Sequence, residues 1–173
     1  TYLMNRGATM ENENREWKEV RRGDLIEYKK GNAFKSKDYS EKGYPIVRVS
    51  NFTHNSIDLS ECLNISREKA EEYSEIRLNT DDIVIATVGS WENNPNSIVG
   101  KVIKVPEKAN DSLLNQNAVR LRANSNAEQK FIYYRLKNKD FSKYLIGGAQ
   151  GSANQASITL KAIFDFEINL PPL

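Results

Sequence analysis

The chain has 173 residues, of which 39% are hydrophobic and 28% are charged, and its net charge is +2. This composition predicts one globular domain with a proper core, and the absence of a long apolar run excludes a bilayer-spanning segment. The single cysteine, Cys62, excludes an intrachain disulfide and a zinc site built from cysteines. We therefore expect a cytoplasmic protein that does not contact a membrane. A net charge this small does not by itself indicate binding to nucleic acid, so evidence for such binding must come from local clusters of basic residues.

The predicted elements alternate between strands and helices along the chain. Residues 1–14 are polar and unpatterned, and we expect a flexible leader there, followed by a single domain over residues 15–173. Strands are predicted where β-branched residues crowd together or apolar residues alternate with polar ones, at residues 25–29, 44–52, 81–89, 98–105, 117–123 and 164–170. Helices are predicted at residues 66–75 (with Ser66 as N-cap), 127–137 and 140–146. This order predicts an α+β domain with a strongly curved, mostly antiparallel sheet and helices on one side.

The motifs of common enzyme classes are absent or incomplete. His54 is the only histidine and lies in a polar loop far in sequence from Cys62, so a Cys-His nucleophile pair is not expected. The segment "ENNPNS" (residues 92–97) shares only Asn94-Pro95 with the Asn-Pro-Pro-aromatic motif of adenine methyltransferases, and no glycine fingerprint of a cofactor-binding fold accompanies it. We therefore expect no catalytic residue, no metal site and no cofactor.

Long polar loops join the predicted elements and carry side chains that are suited to DNA. They are "KGNAFKSKDYSEKG" (30–43), "NFTHNSID" (51–58), "GSWENNPNS" (89–97) and "GGAQGSANQAS" (147–157). Lys and Arg contact phosphates or guanine, and Asn and Gln pair with adenine. Each loop alone could equally be an ordinary turn, but together they favour a binding module over an enzyme.

A resemblance becomes specific when the motifs are read in order. They are "EWKEVRRGDLIEYKKGNAFKSKDYSEKGYPIVRVSNF", "LNTDDIVIATVGS", "LLNQNAVRL" and "GGAQGSANQASITLKAIFDFEINLPPL". From about Trp17 to the end, this order resembles the target recognition domains of the DNA-specificity (S) subunits of type I restriction-modification systems. The resemblance implies a strongly twisted, mostly antiparallel half-barrel sheet with flanking helices. It also implies sequence-specific binding of double-stranded DNA at one half of a bipartite site, without chemistry of its own.

The resemblance implies partner proteins as well. Methyltransferase (M) subunits and, indirectly, the restriction (R) subunit would supply methylation and cleavage in the intact complex. A complete S subunit carries two such domains separated by long helices, whereas this chain matches one. We therefore expect an isolated domain, a fragment or a half-subunit.

The candidate DNA-binding residues fall into two groups, because motifs shared by members that recognise different sequences cannot distinguish those sequences. The shared motifs assign phosphate contacts to Lys35, Ser36, Lys37 and Tyr39, and to Gln150, Ser152 and Asn154. The loops that depart from the shared pattern assign base contacts to Thr53, His54, Asn55, Trp91, Asn93, Asn94 and Asn96.

Some of these assignments have structural alternatives. Trp91 could contact DNA or cap the sheet, and the polar groups of residues 150–155, expected to form an ordered loop, could bond only to the protein. Arg120 and Arg122 share the face opposite Val119 and Leu121. They could line a DNA-facing surface, or one of them could form a cross-strand charge pair.

Two other functions remain open. The domain could be a recognition module appended to a DNA methyltransferase or to a fused restriction-methylation enzyme. It could also be a protein-interaction or single-strand-binding module on the same fold, which would show little preference for duplex DNA and would rely on exposed aromatic residues.

Overall fold

A computed structural model describes residues 18–90, 98–152 and 155–170 of the chain. The predicted leader and the candidate residues Trp91, Asn93, Asn94, Asn96 and Asn154 lie outside the described residues. Within these ranges, no helix is long and apolar enough to cross a membrane.

The described elements are short strands joined by turns and by a few helices. The strands are β1 (Lys18–Arg21), β2 (Ile26–Lys30), β3 (Tyr39–Ser40), β4 (Tyr44–Val47), β5 (Leu63–Ile65), β6 (Ile83–Ala86), β7 (Val88–Gly89), β8 (Val102–Lys104), β9 (Leu113–Leu114), β10 (Ala118–Ala123), β11 (Gln150–Ser152), β12 (Gln155–Ser157) and β13 (Glu167–Leu170). The α-helices are α1 (Arg67–Glu71), α2 (Gln129–Lys137), α3 (Lys139–Gly147) and α4 (Leu160–Asp165).

The central sheet is antiparallel and has the strand order β2-β10-β6-β8. Its middle strand β10 is paired on both edges, and residues 118–121 are all buried. Because side chains alternate between the two faces of a strand, Val119 and Leu121 enter one core while Ala118 enters another. The sheet therefore separates two hydrophobic cores.

Helices α2, α3 and α4 cover one face of the central sheet. Ile132 and Leu136 of α2, Phe141 and Leu145 of α3, and Ile163 of α4 are buried in the first core. Burying each such side chain contributes about 1.5–3 kcal/mol relative to leaving it exposed. Three of the four described α-helices thus lie on one side, whereas α1, which the sequence predicts beside them, does not contribute to this core.

The opposite face of the central sheet packs against the remaining strands and turns. Leu78 and Leu114 pack there against β6 and β8 to form the second core. A second sheet, β3-β5-β4-β9, and helix α1 enclose a third core around Ile46 and Ile65. In this sheet β4 and β9 are parallel, which is the exception among the described strand pairs.

Two smaller sheets complete the described chain. The β11-β12 hairpin pairs with β7, and β1 pairs antiparallel with β13. Residue Lys18 lies opposite Leu170, so the first and last described strands lie side by side. The α+β class and the mostly antiparallel pairing are confirmed, with the sheet divided into these four parts.

Two strand predictions were too long for reasons visible in the turns. The predicted strand at residues 44–52 ends at Val47, because Arg48 N donates to Asn51 Oδ1 at 2.9 Å and a 3₁₀ turn, Val49–Asn51, begins. The strand predicted at residues 98–105 covers only β8. Gly100 adopts a φ of +72° in a turn before it, a conformation that glycine tolerates best.

The prediction at residues 164–170 was wrong in its first half. Helix α4 runs to Asp165, and Thr159 caps it by accepting a hydrogen bond from Ala162 N at 3.1 Å. Ile163 is buried, so the helix packs against the core through this residue. The alternation of Phe164 and Phe166 with polar residues is typical of a strand and therefore misled the prediction. The strand starts only at Glu167. Ser66 caps α1 as predicted, accepting from Lys69 N at 3.3 Å.

A cluster of charged side chains, formed by the arginines of β10 and Asp82, lies at the edge of the second core. Arg122 Nε donates to Asp82 Oδ1 at 2.6 Å and Arg122 Nη2 donates to Asp82 Oδ2 at 2.8 Å. Asp82 is only 4% exposed and also accepts from Asn79 N at 2.7 Å. Arg122 therefore forms the cross-strand charge pair that the sequence left open.

We expect Asp82→Ala to destabilise the domain by about 2–4 kcal/mol, because it leaves Arg122 and the Asn79 N–H without their acceptor. Urea unfolding of this chain measures the change. Lys104→Ala is the control, because it removes an ion pair to Asp81 whose side chains are 50% and 61% exposed and should change stability by less than about 1 kcal/mol. Equal effects of the two substitutions would contradict a structural role for Asp82.

Candidate functional site

One end of the central sheet collects the segments that the sequence marks as candidate binding loops. Strand β2 ends at Lys30, opposite Val119, and β6 ends at Ala86, opposite Ala118. Since β8 is antiparallel to β6, it begins at this same end, at Val102. We call the end of the sheet at Lys30, Ala86, Val102 and Ala118 the loop end. The segments that follow β2 and β6 and precede β8 and β10 emerge there together.

Main-chain contacts anchor the segment after β2 at the loop end. Gly31 N donates to Ala118 O and Asn32 N donates to Leu114 O, each at 3.0 Å. A Cβ atom at Gly31 would lie 1.9 Å from the carbonyl oxygen of Asn115. Glycine is therefore required for this close approach of two backbones.

The first group of candidate residues follows directly. Phe34 is buried, and Lys35, Ser36 and Lys37 are exposed around the 3₁₀ turn Ser36–Asp38. Tyr39 is half-buried, and its hydroxyl donates to Phe34 O at 3.5 Å. The two lysines are accessible to a ligand, whereas the tyrosine ring packs against the third core.

The second group lies at the tip of a tight turn. Thr53, His54 and Asn55 are exposed, between the buried Phe52 and Ile57, which pair as an antiparallel bridge. Thr53 N donates to Ser56 O at 2.9 Å, and Thr53 Oγ1 both donates to Ser56 O and accepts from Ser56 N at 3.0 Å. The Thr53 hydroxyl thus shapes the turn, while His54 and Asn55 project from it.

A lysine from a distant helix holds this turn at the loop end. Lys137 Nζ, at the end of α2, donates to Asn55 Oδ1 at 3.2 Å and to Val102 O at 3.3 Å. Burial and the neighbouring Lys101 lower the pKa of Lys137 below its usual range. No local pattern in the sequence indicates this contact, because Asn55 and Lys137 are 82 positions apart.

In the stretch at residues 147–157, Gly147 ends α3, and Gln150–Ser152 and Gln155–Ser157 form a pair of antiparallel strands, which we call the hairpin, rather than a loop or a tether. Strands β11 and β12 pair with Ser152 opposite Gln155, and Ala156 of β12 lies opposite Gly89 of β7. A Cβ atom at Gly151 would lie 1.9 Å from Gln155 O, so glycine permits the close pairing. Gly89 at the end of β7 therefore lies on the Gln155 side of the β11-β12 pair, and Val88 lies on the Ser157 side.

The hairpin presents polar side chains to its surroundings. Gln150, Ser152 and Gln155 are exposed, while Ala156 is buried in the first core. Ser157 Oγ donates to Gln150 O at 3.1 Å, which secures the base of the hairpin.

Arg120 and Arg122 are occupied by protein groups. Arg120 is 8% exposed, and its Nη1 donates to Arg77 O at 2.6 Å. Arg122 is paired with Asp82 near the start of β6, which is the opposite end of the sheet from the loop end. The structure therefore brings Lys35, Ser36, Lys37, His54, Asn55 and Gln150 to accessible positions and gives the two arginines a role in the fold.

The described residues offer little for covalent or metal chemistry. Burial raises the pKa of the Cys62 thiol above its usual range, which disfavours the nucleophilic thiolate. Among these residues, no group of three or more His, Cys, Asp or Glu side chains could hold a metal ion. The loop end instead carries Lys30 and Lys137, with Lys101 near Lys137, and the segment after β2 adds Lys35 and Lys37; these positive charges attract an anionic partner.

Comparisons with known proteins point in one direction. A curated relative from Methanocaldococcus jannaschii, named "Putative type I restriction enzyme MjaX specificity subunit", is 28% identical over 162 residues, which is 91% of this chain and 36% of the relative. A type I restriction-modification S subunit from M. genitalium has a similar fold, with a TM-score of 0.59, 18% identity, and coverage of 93% of this chain and 36% of that chain. The HsdS subunit from Thermoanaerobacter tengcongensis has a TM-score of 0.59 at 18% identity, over 97% of this chain and 36% of that chain.

The chain therefore spans about a third of the length of the relatives it matches. The family model described as the type I restriction modification DNA specificity domain matches residues 14–173, which is nearly the whole chain. The chain belongs to the family of type I restriction-modification DNA specificity domains.

Proposed function

We propose that this domain binds double-stranded DNA sequence-specifically and recognises one half of a bipartite target site. The observation that carries the proposal is the convergence of polar, lysine-bearing segments at the loop end, in a domain whose family is defined by DNA specificity. The family match favours this function over a protein-interaction or single-strand-binding module.

Sequence-independent contacts would come from the segment after β2 and from the hairpin. Lys35 and Lys37 are exposed cations on an anchored backbone, so they can neutralise phosphates without reorganisation of the chain. Gln150 and Ser152 lie on a hairpin of defined pairing, and with Asn154 they would fix the register of the domain on the DNA backbone.

Base contacts would come from the turn at Thr53–Ser56 and from residues 91–97. His54 and Asn55 project from a turn whose backbone is closed by internal hydrogen bonds. We assign the same role to Trp91, Asn93, Asn94 and Asn96, because their segment departs from the shared pattern and its side chains are of types that read bases. These side chains are of types that donate to or accept from base edges in the major groove.

The domain would act without chemistry of its own, inside a larger cytoplasmic complex. Methyltransferase subunits would methylate the selected site, and the restriction subunit would cleave unmodified DNA. The matched relative is about three times as long as this chain. In a subunit of that length, this domain would lie beside a second recognition domain.

Exchange of the domain tests the proposed function directly. The native operon, expressed with this domain replaced by one from a family member of different specificity, should methylate a site altered in one half only. Sequencing of methylated positions in those cells is the measurement. A motif unchanged by the exchange would refute the proposal.

We expect Lys35→Ala combined with Lys37→Ala to weaken binding to all duplexes alike and to reduce the slope of log K against log[salt] by up to about two. The reason is that each lost phosphate contact no longer releases a counterion. Titrations of fluorescent duplexes at several salt concentrations measure the slope. Lys104→Ala with Lys108→Ala removes the same charge beyond the other end of β8 and should leave the slope nearly unchanged. Equal slopes for the two double variants would exclude Lys35 and Lys37 from the interface.

We expect Gln150→Ala combined with Asn154→Ala to lower affinity for every duplex without lowering the melting temperature, because the paired backbone of the hairpin stays intact. Gly151→Ala provides the contrast, since its Cβ would collide with Gln155 O and should lower both affinity and stability. Thermal unfolding and duplex titration measure the two quantities. Lost stability with intact affinity in the double variant would show that these side chains only shape the hairpin.

A further inference from the structure

The contact between Lys137 and Asn55 decides which polar group the turn presents to a ligand. A lysine ammonium has only donors, whereas an asparagine amide has an accepting oxygen and a donating NH₂ group. The amide must therefore turn its Oδ1 toward Lys137 Nζ, at 3.2 Å. Its NH₂ group then lies on the other side of the amide, on a residue that is exposed.

The turn leaves the asparagine little freedom to escape this arrangement. Its flanking residues Phe52 and Ile57 are buried in the second core, and the Thr53–Ser56 hydrogen bonds close its backbone. On the other side, Lys137 is held by Val102 O at 3.3 Å and follows Leu136, which is 1% exposed. The backbone of the turn and the position of Lys137 are thus both fixed by the surrounding fold. The remaining freedom is the rotation of the Asn55 amide, which the contact with Lys137 sets.

The orientation of the amide matters for base reading. An asparagine reads adenine by accepting from N6 with Oδ1 and donating to N7 with Nδ2 at the same time. Oδ1 has two lone pairs, so the contact with Lys137 does not exhaust it as an acceptor, but it fixes Oδ1 on the Lys137 side of the amide. The donating NH₂ group is then the group that the other side of the amide offers to a base. Guanine offers two adjacent acceptors, O6 and N7, in the major groove. The positive charges of Lys101 and Lys137 beside the amide reinforce this preference for acceptors.

We propose that Lys137 is a positioning residue for specificity, which holds Asn55 as a hydrogen-bond donor so that the Thr53–Ser56 turn selects guanine rather than adenine. The inference rests on the proposed function, because it requires that the turn faces DNA. It assigns a specificity role to a helix residue that does not itself contact the base.

The experiment uses the full-length subunit with the partner subunits that are encoded beside it. Bound duplexes are selected from a random library, and the base preference at each position is read by sequencing. The variants are Asn55→Ala, Lys137→Met, which keeps a long unbranched side chain but removes the donor, and Lys137→Glu, which offers an acceptor to the amide. Lys139→Met is the matched control, because this exposed lysine lies two residues further on, at the start of α3.

Asn55→Ala should abolish the preference for guanine at one position, and Lys137→Met should reduce the preference at that same position by about fivefold or more. Lys137→Glu should turn the amide and shift the preference there toward cytosine or adenine, whose exocyclic amines donate. Lys139→Met should leave the preference unchanged, apart from a uniform loss of affinity. Melting temperatures close to that of the unaltered protein confirm that the variants are folded.

Different outcomes separate failure of the inference from failure of the proposed function. If the unaltered subunit selects no sequence, the proposed function fails and the inference fails with it. If the subunit selects a motif and Asn55→Ala leaves every position unchanged, the turn does not read a base and the inference alone is overturned. The inference is also overturned if Asn55→Ala changes one position while Lys137→Met and Lys137→Glu leave it unchanged.

Discussion

Strand β10 is the element on which the other parts of the fold depend, because it is paired along both edges and buried on both faces. Its alternation commits Val119 and Leu121 to one core and Ala118 to the other, so a shift in register by one residue would exchange the two faces. The antiparallel partners β2 and β6 must therefore end where β10 begins. This constraint brings the polar segments that follow β2 and β6 to the loop end, and it does so without requiring that these segments contact one another.

The same alternation places Arg120 and Arg122 on the face of the second core, where charges are costly unless they are paired and hydrogen-bonded. Asp82 meets that requirement for Arg122, whereas Arg120 donates to the carbonyl oxygen of Arg77 and its Nε is among the described buried atoms that have no hydrogen-bond partner. Burial and the adjacent Arg122 lower the pKa of Arg120 below its usual range, which reflects the cost of crowding two guanidinium groups. The arginines most conspicuous in the sequence of the central strand thus stabilise the fold, and the accessible cations at the loop end are lysines.

The sequence predicts what depends on local signals and misses what depends on distant pairing. The strand at residues 117–123, helices α2 and α3, and the cap at Ser66 agree with the structure, because periodicity and capping are properties of neighbouring residues. The hairpin at residues 150–157 was not predicted. Glycine and polar residues are poor strand formers, and only the edge of β7 provides the pairing that orders them. The contact of Lys137 with Asn55 was missed for the same reason, since no pattern connects residues so far apart.

Under the proposed function, the anchoring of the loops lets the domain change its specificity without losing its fold. The segment after β2 and the hairpin are held mainly by backbone hydrogen bonds, which do not depend on the identity of exposed side chains, whereas the Thr53–Ser56 turn also uses the Thr53 hydroxyl. Substitutions at exposed positions of these segments therefore cost little stability, except at Thr53 and Gly151, whose contacts shape the backbone. Lys137 differs, because it reaches the turn through its side chain. A change of helix α2 could then alter what the turn reads, so specificity would depend on residues outside the reading loops themselves.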